Sequence, residues 1–222
     1  MSMIQVKNLT KTYQQGDIVV TALDHVSVEI EKGEFIAISG PSGSGKTTLL
    51  NLMGGLDDPD SGQVIVDGND FTALSGSRLA ELRLHTIGFV FQSYNLIPVL
   101  TAAENVEYIL RLQGVPKQER HDRVTHILTE VGLADQMHRR PSELSGGQQQ
   151  RVAVARAVVS NPAMVLADEP TANLDSETGE NLLKMMLDMN QQHQVTFIFS
   201  THDHMVMEYA RRIITIKDGK IV

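Results

Sequence analysis

The stretch Phe35-Ile36-Ala37-Ile38-Ser39-Gly40-Pro41-Ser42-Gly43-Ser44-Gly45-Lys46-Thr47-Thr48-Leu49-Leu50-Asn51-Leu52-Met53 decides the fold. Residues 35–39 read as a short β-strand that passes directly into the pattern GxxxxGK(S/T), which is filled at every fixed position. A helix then opens on the loop and ends near Gly54 and Gly55. Strand, loop, helix is the context a phosphate-binding loop requires. Its glycines let backbone N–H groups approach an anion, and the helix presents its positive end. Gly40, Gly43 and Gly45 meet that need, with Pro41, Ser42 and Ser44 completing the loop. Lys46 is placed to reach β and γ phosphates, Thr47 to put its hydroxyl on Mg²⁺, and Thr48 to add a neighbouring donor. The competing reading, a glycine-rich turn with an incidental lysine, does not explain the flanking strand and helix.

Outward from this loop, β-type runs at 4–6 and 26–30 precede it. Residues 64–66 followed by Asp67-Gly68 predict a strand and tight turn. Over about 93–140 the β signal disappears, while 102–112 and 120–131 carry apolar residues at helical spacing. Strand signals return at 164–167, 196–200 and 213–216, separated by helical patterns at 145–159 and 180–189. Alternation of this kind predicts an α/β fold with a mostly parallel sheet interrupted by a helical insertion. The expected organisation is one domain over 1–222, with 1–92 and 141–222 forming the core and its β part, and about 93–140 the helical lobe.

Composition narrows the function classes. With 19 Lys and Arg against 27 Asp and Glu, the net charge of −8 argues against a phosphate-tracking nucleic-acid surface. The absence of cysteine excludes disulfides and thiolate chemistry and fits a cytosolic address. The first residues lack the basic segment and apolar run of a secretion signal. Apolar runs such as 35–38 fall far short of the roughly 18–20 residues needed to span a bilayer, so a membrane role would come through a partner.

Residues 163–167 form an apolar run that delivers Asp168 and Glu169 to a strand end, before Pro170. Asp168 suits Mg²⁺, and Glu169 suits general-base activation of a water near a γ phosphate. Another strand ends at Thr201-His202-Asp203, where His202 could hydrogen-bond a γ phosphate. Tyr13 offers a flat face for adenine, or is a half-buried sheet tyrosine. Asp175 reads as the N-cap of the following helix. Leu144-Ser145-Gly146-Gly147-Gln148 opens an amphipathic helix whose first N–H groups form a second anion-binding end. Two consecutive glycines in a first turn cost about 1 kcal/mol each against alanine and need a reason. Close packing is one, an approaching phosphate another.

Taken together, the phosphate loop and the Leu144 to Gln148 stretch resemble those of the ATP-binding-cassette (ABC) ATPases, and the resemblance covers almost the whole chain. It implies an ABC-type P-loop NTPase fold with a mostly parallel core sheet, an N-terminal antiparallel β subdomain and an inserted α-helical subdomain. It also implies ATP and Mg²⁺ as cofactors. Glu169 is then the catalytic carboxylate, His202 the switch histidine, and Gln92 a Q-loop glutamine contacting metal or water. Asp168 and Thr47 become metal ligands, and Asp175 part of a loop crossing a dimer seam. In this family the signature stretch of one subunit closes over nucleotide on the phosphate loop of the other, so the implied assembly is a two-fold homodimer with composite sites.

Residues 52–57, 95–106 and 166–175 look like the LolD-type and MacB-type branch. Its members serve FtsX-like permeases at the cytoplasmic face of the bacterial inner membrane. Phe91, Ser93, Tyr94, Asn95 and Leu96 are the expected docking residues. Ala172 stands where many members carry glycine. The alternative is a soluble ABC ATPase that remodels nucleic acid or ribosomes, but the chain lacks the long inserts or second cassette usual there.

Overall fold

Burial at every position of β3 (Phe35–Ser39) and β8 (Thr196–Thr201) identifies the centre of the molecule. Strands covered on both faces read as continuous apolar runs, as expected of a parallel sheet. A computed structural model of the chain describes residues 2–222. In it, β3 pairs in parallel with β8 and with β9 (Arg212–Lys217). Next to β8 lies β7 (Met164–Asp168), and beyond it β6 (Ile87–Val90), again in parallel. A short β10 (Lys220–Ile221) closes the other edge as an antiparallel hairpin, giving the order β10-β9-β3-β8-β7-β6.

Side chains alternate between the two faces of this sheet. Ile36, Ile38, Leu166 and Ile198 face the cluster containing α1 (Lys46–Met53) and the N-terminal sheet. Phe35, Val165, Phe197 and Phe199 face the cluster built by the later helices. Phe35 packs on Phe199 with ring centroids 4.7 Å apart at 55°, within the favourable range for tilted aromatic pairs.

The second sheet is antiparallel, in the order β2-β1-β4-β5. Here β1 (Ser2–Gln15) and β2 (Ile18–Glu31) form a hairpin far longer than the apolar runs at 4–6 and 26–30 predict. Polar residues on β1, exposed apolar ones on β2 and register shifts after Val6 and Leu9 hide its outer half from a pattern reading. The turn at Asp67 and Gly68, with φ of 45° and 79°, joins β4 (Ser61–Val66) to β5 (Asn69–Asp70) as expected.

A helix α2 (Gly76–Thr86) precedes β6, a segment with no clear sequence signal because it buries only Leu79. The insertion holds α3 (Ala102–Leu112) and α4 (Lys117–Glu130), which pack on α5 (Gly146–Val158). After β7 come α6 (Ser176–His193), longer than 180–189, and the short α7 (His204–Tyr209).

The lobe is entered through a polar knot. Fully buried Asn105 accepts from the Ile97 N–H at 2.7 Å and donates to the carbonyls of Ile97, Leu100 and Thr101. Thr101 and Glu104 cap α3 reciprocally. Asn105→Ala takes away the partners of the Ile97 N–H and the Leu100 carbonyl and is expected to lower unfolding free energy by about 1–3 kcal/mol in denaturant titration. A change below about 0.5 kcal/mol, the range of a neutral surface substitution, would contradict this.

Candidate functional site

Strand register sets the site. Ser39 lies opposite Thr201, and Asp168 opposite Ser200, so β3, β7 and β8 end together. Loops at the carboxyl ends of parallel strands are where α/β sheets bind ligands.

The loop after β3 is shaped by contacts only glycine permits. A Cβ on Gly40 would lie 2.1 Å from the Ile216 carbonyl and 2.7 Å from Ser44 Oγ, and one on Gly45 2.4 Å from the Ala22 carbonyl. At its base, Ser44 accepts from the Gly219 N–H at 3.1 Å. The buried Lys46 ammonium donates to the Gly40 and Pro41 carbonyls at 2.8 and 3.0 Å, which places it inside the concave loop. The first N–H groups of α1 have no intrahelical acceptor and face the same space. A lysine and a helix N-terminus around one hollow fit a polyphosphate.

Thr47 donates to Asp168 Oδ1 at 3.1 Å, so a hydroxyl and a carboxylate meet beside the loop. That donor set fits Mg²⁺, which takes one or two carboxylates and completes its octahedron with phosphate and water oxygens.

Glu169 has φ of 46°, a left-handed conformation that costs a non-glycine residue about 1 kcal/mol or more. Its backbone is held there by Glu169 N–H donating to the Ser200 carbonyl and Ala172 N–H to the Glu169 carbonyl. The carboxylate accepts from Thr201 Oγ1 at 3.2 Å and bonds His202 Nδ1 at 2.6 Å. Glu169 is 14% exposed and His202 70%, so the acid is sheltered and the imidazole open.

The cleft, of about 640 Å³, is lined by Tyr13, Val20, Ala22, Pro41, Ser42, Gly43, Gly45, Lys46, Thr47, Thr48, Gln92, Asp168, Glu169 and His202. Most residues singled out in the sequence therefore converge. Gly40 and Ser44 lie beneath, with Ser44 Oγ buried and without a hydrogen-bond partner among the described residues.

Leu144, Ser145, Gly146, Gly147, Gln148 and Asp175 do not line this cleft. Leu144 is buried in the core. Ser145 and Gln148 cap α5 reciprocally, with Gln148 N–H donating to Ser145 Oγ at 3.3 Å and Ser145 N–H to Gln148 Oε1 at 2.9 Å. The N–H groups of Gly146 and Gly147 belong to the uncapped part of that first turn. Packing supplies one reason for Gly147: a Cβ there would meet Thr178 Cγ2 at 2.4 Å. Thr178 cannot easily turn away, because its N–H and hydroxyl both bond Asp175, at 2.9 and 2.7 Å. Asp175 is the N-cap of α6, and bonds from the Thr178 hydroxyl and N–H hold its carboxyl below the usual carboxylate range.

Two positions of the network escaped motif reading. Thr201 braces Glu169, and fully buried Gln150 donates to the Pro170 carbonyl at 2.7 Å, tying α5 to the loop after the acid. A glutamine on the core face of an otherwise apolar helix was the available signal for the latter.

Comparison with known proteins places this geometry. A family model described as ABC transporter matches residues 23–172. The macrolide export ATP-binding/permease protein MacB of Brucella melitensis is 47% identical over 220 residues, covering 99% of this chain and 34% of that protein. The chain thus spans about a third of the length of the MacB relatives it matches. An uncharacterized ABC transporter ATP-binding protein of Methanocaldococcus jannaschii, MJ0796, is 45% identical, with 99% and 95% covered. The dimeric structure of the MJ0796 cassette superposes with a TM-score of 0.92 at 44% identity, covering 99% of this chain and 96% of that one. A dimeric post-hydrolysis state of the same cassette bound to ADP and Pi gives 0.91.

The contact at Gly147 is separable from any ligand. Alanine normally favours a helix over glycine by about 1 kcal/mol. Gly147→Ala is nevertheless expected to destabilise the fold by about 1–3 kcal/mol through overpacking. Thr178→Ser, which removes the methyl and keeps the hydroxyl, should restore most of the loss. A thermal melt in which Gly147→Ala alone is stabilising would contradict the contact.

Proposed function

Because the chain belongs to the ABC transporter family, we propose that it couples ATP hydrolysis in a two-fold homodimer to an FtsX-like permease. The setting is the cytoplasmic face of a bacterial membrane, in a MacB-like export, lipoprotein-extraction or mechanotransmission complex. The observation that carries this is the separation of two anion-binding elements. Lys46, Thr47, Asp168, Glu169 and His202 share one cleft, while the capped helix end at Ser145 to Gly147 lies outside it. A second copy related by a two-fold axis supplies the missing helix end to each cleft.

Within each composite site, the loop from Gly40 to Gly45 and Lys46 bind the phosphates, Thr48 supports them, and Tyr13 stacks the base. Thr47, Asp168 and Gln92 would hold Mg²⁺, which would offset charge on the phosphate oxygens. Glu169 orients and deprotonates the attacking water, a role for which Thr201 and His202 fix its carboxylate. His202, open to solvent, reads the γ phosphate. Ser145, Gly146, Gly147 and Gln148 of the partner copy cover it, and Asp175 lies at the seam.

The permease contact belongs at a groove of about 420 Å³ between α2, β6, α3 and α5. Phe89, Phe91, Ile97 and Tyr108 make it apolar enough for a short amphipathic helix. Of the residues expected to dock, Phe91 and Asn95 line it, whereas Leu96 packs on the core and Tyr94 Oη lies close to Gly146. Arg156 grips the Tyr94 and Asn95 carbonyls at 2.9 and 2.6 Å, where both residues have positive φ. Movement in the groove therefore reaches Gln92 through three peptide units. Among the described residues no helix is long and apolar enough to cross a membrane, so the permease supplies the spans.

Glu169→Gln keeps the shape of the site and removes the base. ATP hydrolysis should fall by about 10²-fold or more, and the variant should be recovered from membranes with ATP as a dimer bound to a permease. Normal turnover would refute the assignment of Glu169, and recovery only with nucleic acid would refute the transport reading.

A further inference from the structure

Tyr13 is held from two sides before any base could reach it. Its hydroxyl donates to Asp57 Oδ2 at 2.7 Å, and Lys11 Nζ donates to Asp57 Oδ1 at 2.9 Å and to the Asp58 carbonyl at 2.6 Å. The same ammonium stands 5.1 Å from the Tyr13 ring centroid, within cation–π range. Lys11 and Tyr13 lie two apart on β1 and so share a face, while Thr12 between them is tied to Asp60 through its N–H and hydroxyl, both at 2.7 Å. Asp57 follows α1, the helix that begins at the phosphate loop.

A tyrosine that merely bridged β1 to this segment would bury its ring. Tyr13 is instead 37% exposed and lines the cleft beside Val20, Ala22 and Pro41. Its hydroxyl is fixed by Asp57 and Lys11 stands over the ring, while the ring itself lines the cleft that a planar ligand would enter. Burial alone would raise the Asp57 carboxyl, yet bonds from Lys11, Tyr13 and the Asp58 N–H outweigh it and hold the group below its ordinary value. Burial and the bond to Asp57 raise the Tyr13 phenol, with the Thr48 hydroxyl acting in the opposite sense. Tyr13 therefore stays a neutral donor and Asp57 an ionised acceptor around neutral pH.

We propose that Asp57 and Lys11 are positioning residues that lock the Tyr13 ring at a fixed height above the phosphate loop, so that the platform takes a purine base on its cleft face. This rests on the reading of Tyr13 as the base-stacking residue. A charge-assisted tether of this kind matters because the base and the phosphates must be gripped at once. Ordering the ring beforehand removes a cost that binding would otherwise meet.

The test compares ATP, CTP and inorganic tripolyphosphate, which has the phosphates and no base, in equilibrium binding to the purified chain. Tyr13→Phe and Asp57→Ala should each weaken ATP about fivefold to tenfold, the scale of ordering one side chain on binding. Each should narrow the preference for ATP over CTP and leave tripolyphosphate unchanged, and the double variant should be no worse than either alone. Lys11→Met should act in the same direction, and Asp57→Asn, which keeps one acceptor oxygen but loses the charge and the second oxygen that pair with Lys11, should fall between the unchanged chain and Asp57→Ala. If Tyr13→Ala leaves ATP binding intact, the stacking role itself fails. If Tyr13→Ala weakens ATP while Tyr13→Phe and Asp57→Ala do not, only the positioning role fails. Equal losses for ATP and tripolyphosphate in Asp57→Ala would mark Asp57 as a support of the loop and overturn the proposal.

Discussion

The register of three buried parallel strands is the constraint on which the rest depends. With Ile36 opposite Ile198, Ser39 opposite Thr201 and Asp168 opposite Ser200, the ends of β3, β7 and β8 fall on one line. Loops leaving that line bring Lys46, Glu169 and His202 into a single cleft although they are far apart in the chain. A slip of one residue would turn every side chain of a strand to the opposite face. Both faces here are packed, with phenylalanines on one side and isoleucines on the other, so the register is fixed by the core and the site inherits its precision.

Around that line the backbone is held in conformations it would not choose alone. The phosphate loop is wedged against the Ile216 and Ala22 carbonyls, and Glu169 is kept left-handed by the neighbouring strand end. Such strain is tolerated where the surroundings over-determine the geometry. The same economy of contacts links the site to the signature helix. Gln150 reaches the peptide after Glu169, Gly147 sits on Thr178, and Asn173 donates to the Gln92 carbonyl at 2.9 Å. The helix whose first turn lies outside the cleft is thus tied through Gln150 to the loop after Glu169.

Much of this was legible in the sequence because each motif carries a mechanism at fixed spacing. Gly40 to Thr47 between an apolar run and a helix admits few other readings, and Asp168-Glu169 at the end of 164–168 follows the same logic. The helical insertion was legible as a loss of strand pattern around 93–140. Less was visible where tertiary contact decides. The outer half of the β1–β2 hairpin is polar on β1, exposes Ile18, Val19 and Val20 on β2 and is interrupted by register shifts, and α2 buries only Leu79. The contact between Gly147 and Thr178, the burial of Leu144 and the tether from Asp57 to Tyr13 join residues whose spacing holds no period. They emerge only when the sheet has brought the segments together.

The central claim is that the cleft of one copy is completed by the signature helix of another, and the absence of native cysteine permits a direct measurement. In a Glu169→Gln background, chains carrying Ser42→Cys are mixed with chains carrying Ser145→Cys and treated with a short bis-maleimide. The account predicts a covalent dimer that forms in the mixture, requires ATP, and is nearly absent when either chain is treated alone. Crosslinking that ignores ATP, or an ATP-loaded mixture that stays monomeric, would contradict it.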